Sequence, residues 1–155
     1  MELTQYQIGL IQQSFRLVEP IADTAADIFY KKLFNYDPSL KKLFKNDIKS
    51  QGRKLMSTLK LAVNGLNNLD TLVPVLENMA IKHKGYGVEA DDYTPVGNAL
   101  IHTLKAGLGD QLSRETEDAW VQLYKIIAHV MRAAAYPGYN QNTYRNNKHY
   151  YDTAS

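Results

Sequence analysis

The chain has 155 residues, 45% of them hydrophobic and none of them cysteine. That is enough for one domain burying roughly 70% of its unfolded surface, and it excludes disulfides, thiolate metal sites and a cysteine nucleophile. Its 18 basic and 16 acidic residues are interspersed and leave a net charge of +2, so neither a nucleic-acid stripe nor a polybasic membrane patch is expected. The opening Met1-Glu2-Leu3-Thr4-Gln5 has no apolar signal core, and no later run nears about 18 apolar residues. A cytoplasmic location fits.

Helical spacing dominates up to Ala135, strand-type alternation is missing, and the expected fold class is all-α. The first helix opens at Thr4, with Gln7 three residues on as a capping box, and carries Ile8, Ile11, Phe15 and Val18 at helical spacing. It ends at Glu19, because Pro20 disfavours the α region before it. Pro20 then starts a second helix whose inner side is Ile21, Ala25, Ile28, Phe29 and Leu33. Asp37-Pro38 begins a short helix ending near Phe44, Lys45-Asn46-Asp47 is a loop, and a longer helix spans 48–66. After Asn67-Asn68, Asp70 or Thr71 caps the next helix, which Gly85 and Gly87 end. Another helix covers about 91–108, and Gly107 and Gly109 close it. Ser113 caps the last helix, in which Trp120, Leu123, Tyr124, Ile127, Val130 and Met131 keep the period. Tyr136-Pro137-Gly138 breaks it. The domain is therefore expected at 1–135, and 136–155 reads as a disordered tail whose tyrosines 139, 144, 150 and 151 could instead dock on the domain or a partner.

His83 is the most informative residue. Leu72, Leu76, Met79 and His83 succeed one another at steps of four, three and four, so the imidazole ends an apolar stripe. It needs a partner there. One possibility is a carbonyl or carboxylate satisfying a core imidazole; the other is a metal, for which neutral imidazole is the commonest protein ligand. No second ligand stands at zinc spacing, so a lone imidazole suits haem iron better than zinc. Gln51, Leu55, Leu59 and Ala62 share a helical face, with a polar residue at the head of an apolar stripe. On spacing alone Gln51 could equally be a solvated amide, and Tyr30 an ordinary buried tyrosine. His102, His129 and His149 lie off the apolar faces and read as solvated.

Phe29-Tyr30-Lys31-Lys32-Leu33-Phe34, then Asp37-Pro38 and Leu43-Phe44, resemble the second and third helices and the adjoining corner of a globin. Ser50-Gln51-Gly52-Arg53-Lys54-Leu55-Met56 and His83-Lys84-Gly85-Tyr86-Gly87-Val88 are similar to the globins allied to flavohaemoglobins and neuroglobins. Tyr93-Thr94-Pro95-Val96-Gly97 and Asp118-Ala119-Trp120 extend the likeness. The resemblance implies a three-over-three helical sandwich holding haem b, with His83 as the proximal iron ligand, Phe44 packed on the haem, and Tyr30 and Gln51 as distal donors. It places Leu55 beside Gln51, lines the proximal side and edge with Met79, Val88 and Val96, and lets Lys54 reach a propionate. Tyr93 matches a tyrosine that, with a glutamate, backs the proximal histidine in flavohaemoglobin-like globins; alignment on Trp120 puts Ala135 in place of that glutamate.

The same resemblance implies reversible, high-affinity oxygen binding, with a five-coordinate ferrous form and dioxygen, carbon monoxide and nitric oxide as ligands. Oxygen transport is one use of it. A second is nitric oxide detoxification by dioxygenation, or nitrite reductase or peroxidase chemistry, which with no room for a flavin domain calls for an external reductase. A third is a haem-based or non-haem sensor globin. No hydrolase motif is evident.

Overall fold

The computed structural model describes residues 2–45 and 47–146. The tail expectations at His149, Tyr150 and Tyr151, and the loop residue Asn46, lie outside the described residues. Six α-helices and no strand are found among those described: α1 (Gln5–Val18), α2 (Ala22–Tyr36), α3 (Ile48–Asn64), α4 (Leu69–Gly85), α5 (Tyr93–Leu108) and α6 (Arg114–Ala135). The Thr4 capping box forms as its sequence pattern requires, and Ser113 accepts from Thr116 N at the start of α6. Asp37 caps the 3-10 segment Pro38–Leu43.

Three local expectations change. Pro20 sits in a 3-10 turn, Glu19–Ile21, before α2 proper, and Ile21 is exposed rather than inward. Asn68, not Asp70 or Thr71, holds the N-cap position of α4. Thr71 Oγ1 instead donates 2.8 Å back to the Asn68 carbonyl, a common local bond for a hydroxyl in a first turn. His129 is half-buried, with Nδ1 3.1 Å from the Tyr139 hydroxyl, and His102 is half-buried with a partner of its own.

The helices form two layers, α1, α3 and α4 against α2, α5 and α6. Packing between them runs through α4 on α6, α2 on α3 and α1 on α6, while α2 on α5 and α5 on α6 join the second layer. Trp120 is the largest fully buried side chain; its Nε1 donates 2.8 Å to Ser14 Oγ, which donates 2.9 Å to the Ile11 carbonyl. The indole thus ties α6 to α1 without an orphaned donor. Two close crossings need glycine. A Cβ at Gly52 would lie 2.9 Å from Ala26 Cβ, and one at Gly97 only 2.5 Å from Tyr124 Cε2. The first lets α3 cross α2 tightly, and the second lets the Tyr124 ring lie on α5. α3 and α4 are consecutive in the chain, yet neither packs extensively on the other.

The stretch after α6 packs back on the domain. The Tyr136 hydroxyl donates to the Val88 carbonyl and the Tyr144 hydroxyl to Asp91 Oδ1. Asn146 Nδ2 donates 3.1 Å to the Asp91 carbonyl.

Candidate functional site

On α4, His83 Nδ1 lies 2.7 Å from the Met79 carbonyl. A carbonyl only accepts, so Nδ1 carries the proton, and in this tautomer the lone pair belongs to Nε2. Nε2 has no hydrogen-bond partner among the described residues. Both partners weighed for this imidazole are thereby accommodated: the carbonyl one turn back takes one nitrogen, and the other is left for a ligand. α4 ends two residues on, and Gly87 adopts φ +103°, where a side chain would be strained. This turns the chain so that Val88 N donates 3.1 Å to the His83 carbonyl. A Cβ at Gly87 would stand 3.4 Å from Leu43 Cδ2, so the corner after His83 meets the 3-10 segment that leads to Phe44.

A second cluster, on α2 and the corner after it, is aromatic. Tyr30, only 6% exposed, has Phe29, Phe34 and Phe44 around it at centroid distances of 5.1, 6.0 and 5.3 Å, and Phe44 also meets Phe34 edge-on at 5.4 Å. The hydroxyl of Tyr30 has no hydrogen-bond partner among the described residues, and burial pushes its pKa up to about 12, so it is a proton donor across the neutral range. Gly52 brings α3 onto α2 3.9 Å from the Tyr30 ring, measured from the Cβ it lacks. Its neighbour Gln51 is half-buried, as are Leu55 on α3, Met79 on α4, and Val88 and Val96 beyond it, whereas Lys54 is exposed. Behind Leu55 an apolar cavity of about 20 Å³ is lined by Phe29, Met56, Leu59, Leu104 and Trp120 among others. That is room for one small molecule in a lining with almost nothing to hold water.

Tyr93 departs from the expected arrangement. It is buried beside Ala135 in one apolar cluster, and its hydroxyl is the one buried side-chain polar atom without a hydrogen bond among the described residues. The Arg132 guanidinium lies 5.7 Å from its ring and 4.5 Å from that of Tyr144, and donates to the Ala90 carbonyl and Thr94 Oγ1 at 2.9 and 3.1 Å. Sequence reasoning missed Arg132 and the Tyr136 bond, while docking of Tyr144 was the alternative it gave to a disordered tail. The only signal was the aromatic content of the tail.

Whether these residues fit a haem is answered by their burial and chemistry. Half-exposed apolar side chains at Phe44, Leu55, Met79, Val88 and Val96 are surface that a flat apolar group would cover. One imidazole offers a lone pair, and among the described residues no group of three or more His, Cys, Asp or Glu could hold a metal unaided. The ring nitrogens of a porphyrin would supply the rest. They fit.

A two-layered all-helical protein with one imidazole lone pair offered from its fourth helix is the class so defined. The Globin family model matches residues 27–131, and the chain belongs to the globin family. Globins bind haem with its iron. The chain is 31% identical over 131 residues to the flavohemoprotein of Halalkalibacterium halodurans, covering 83% of itself and 32% of that protein. To the flavohemoprotein of Vibrio cholerae it is 28% identical over 131 residues, covering 83% and 33%. It spans about a third of the length of these relatives. Among solved structures, a hexacoordinated heme protein from an anhydrobiotic tardigrade superposes with a TM-score of 0.78 at 19% identity, covering 85% of this chain and 94% of that one. An engineered carbene transferase from Rhodothermus marinus gives 0.76 at 24%, covering 84% and 92%. These two likenesses show the fold. No helix among the described residues is long and apolar enough to cross a membrane.

Proposed function

We propose that this globin binds dioxygen reversibly and tightly, with His83 as its single protein ligand to the iron and Tyr30 and Gln51 as the donors on the other face. The observation that carries the reading is the His83 Nδ1 to Met79 carbonyl bond, which fixes the tautomer and leaves Nε2 available. Haem supplies the ferrous iron that binds a diatomic gas and shifts negative charge onto dioxygen. Tyr30 meets that charge with a hydroxyl held protonated by burial, and Gln51 with an amide N–H. Carbon monoxide takes up less charge and gains less from either. Phe44, Met79, Val88 and Val96 would cover the faces and edge of the ring, and Lys54 would reach a propionate.

A hydrogen bond to a charged group contributes about 1.5–3 kcal/mol, and each 1.4 kcal/mol is tenfold. Tyr30→Phe therefore speeds dioxygen release about tenfold to a hundredfold in stopped flow, while carbon monoxide release changes little. An unchanged dioxygen rate overturns the distal assignment.

Nitric oxide dioxygenation with an external reductase is the second reading, supported by the similarity to flavohemoproteins. Ala135 in place of the glutamate, and the unpaired Tyr93 hydroxyl, leave the proximal histidine without the carboxylate that would raise its electron donation. Oxygen binding is favoured on that ground. A cytoplasmic site of action belongs to the same reading.

A further inference from the structure

We propose that the edge formed by the Pro38–Leu43 segment, the start of α3 and the corner after α4 docks an acidic flavin-carrying electron donor. This rests on the haem-binding reading above. The balanced charge of the whole chain hides an uneven surface. Between residues 41 and 54 stand six cations against Asp47 alone, and Lys82 and Lys84 flank His83, although the chain carries only +2. The remainder is therefore net acidic. The 3.4 Å approach of Gly87 to Leu43 joins the two basic stretches at one edge.

Lys41, Lys42, Lys45, Lys49, Lys82 and Lys84 are all exposed, and none of them forms a salt bridge among the described residues. Two cations outside the patch are paired, Lys60 with Glu19 and Lys105 with Glu117, whereas within it Lys41 and Lys84 lie only over the rings of Phe34 and Tyr136. Asp47 is turned to the Lys49 backbone N–H as a helix cap, and Glu89, the exposed acid of the corner after α4, is turned to the Asp92 backbone N–H. Beside these lysines Tyr86 is 69% exposed, and its ring lies 6.4 Å from the His83 imidazole. Ile81 nearby is 59% exposed. An exposed aromatic anchor with a charged rim is the anatomy of a transient interface, and unpaired charge of one sign steers the opposite sign toward it. The partner so selected carries acidic side chains around its redox group. One electron passes from its reduced flavin to the ferric haem iron; the flavin is oxidised, the iron becomes ferrous, and no bond is made or broken.

The test uses the haem-loaded full chain in its ferric state. Reduced flavodoxin serves as the acidic donor, and reduced lumiflavin as a donor too small to need docking. Anaerobic stopped flow tracks reduction, and calorimetric titration with oxidised flavodoxin reads binding without turnover. The double variant Lys82→Glu, Lys84→Glu should lose at least about tenfold in both flavodoxin rate and affinity at low ionic strength, and added salt should do the same to the unaltered protein. Tyr86→Ala should lower both severalfold. Lumiflavin rates should hold within about twofold throughout, as should every rate in the charge-matched control Arg16→Glu, Arg114→Glu, two exposed cations outside the patch. A flavodoxin rate and affinity within twofold in the lysine double variant overturns the proposal, as does an equal loss in the arginine control. Binding of the patch to phosphatidylserine vesicles in preference to flavodoxin reassigns it to a membrane and overturns it too. A chain that takes up no haem shows this in its absorption spectrum, and both readings fall; haem uptake through His83 with a flat flavodoxin response removes the docking face alone.

Discussion

The Tyr93 hydroxyl is fully buried with nothing to bond among the described residues. Burial raises its pKa beyond the normal phenol range, which keeps it neutral but does not offset its lost hydration. Removing the hydroxyl relieves that cost. Tyr93→Phe should therefore leave stability unchanged or raise it by about 1–3 kcal/mol, read as a higher urea midpoint at constant slope; a loss of more than about 1 kcal/mol contradicts the orphan assignment. At this scale the sequence was partly legible. Spacing put His83 on an apolar stripe, but it could not say which nitrogen would be engaged, because that depends on the carbonyl of Met79 facing the ring. Tyr30 and Gln51 were legible only through the resemblance, since a buried phenol and a helix-start amide look alike in any helical protein.

Elements were read from the 3.6-residue period and their punctuation, and most boundaries came from caps that act locally: Thr4 with Gln7, Asp37, Ser113, Gly87. The errors fall where the deciding contact is distant or weak. α4 begins at Leu69 without a side-chain cap, so Asp70 and Thr71 carried a signal that packing overrode. The crossing of α2 and α3 was invisible, because the need for glycine at position 52 lies in Ala26, twenty-six residues away. Gly52→Val should force the two helices apart and cost about 1–3 kcal/mol in denaturant unfolding, with faster dioxygen release as Gln51 and Tyr30 separate. Unchanged stability means that α2 yields at no cost and that Gly52 does not set the distal wall. The stretch 136–146 is the other case. Its Asn and Tyr content reads as solvated, yet Tyr136 and Tyr144 bond the corner that comes after His83, contacts between residues some fifty apart that no local pattern encodes.

For the whole molecule, the layered all-α architecture was legible because two apolar-faced helical sets leave few other ways to pack. Its response to alkali is governed by phenols. Tyr30, Tyr93, Tyr124, Tyr136 and Tyr144 all have pKa values raised chiefly by burial, against about 10 in the unfolded chain. The unfolded state loses these protons first. Their contribution to stability is complete below pH 10 and falls as pH rises through the folded values, about 12 for Tyr30. The urea midpoint should drop steadily from pH 9.5 upward; a midpoint that is flat or rising to pH 11.5 contradicts this.

The central claim is that one imidazole from α4 holds the iron and leaves its other face to ligands. The absorption spectrum of the reduced, haem-loaded protein, recorded for the unaltered chain and for His83→Gly with and without imidazole, tests it most directly. The account predicts a five-coordinate ferrous spectrum that is lost in His83→Gly and restored by added imidazole. A six-coordinate ferrous spectrum without added ligand, or one that His83→Gly leaves unchanged, would contradict it.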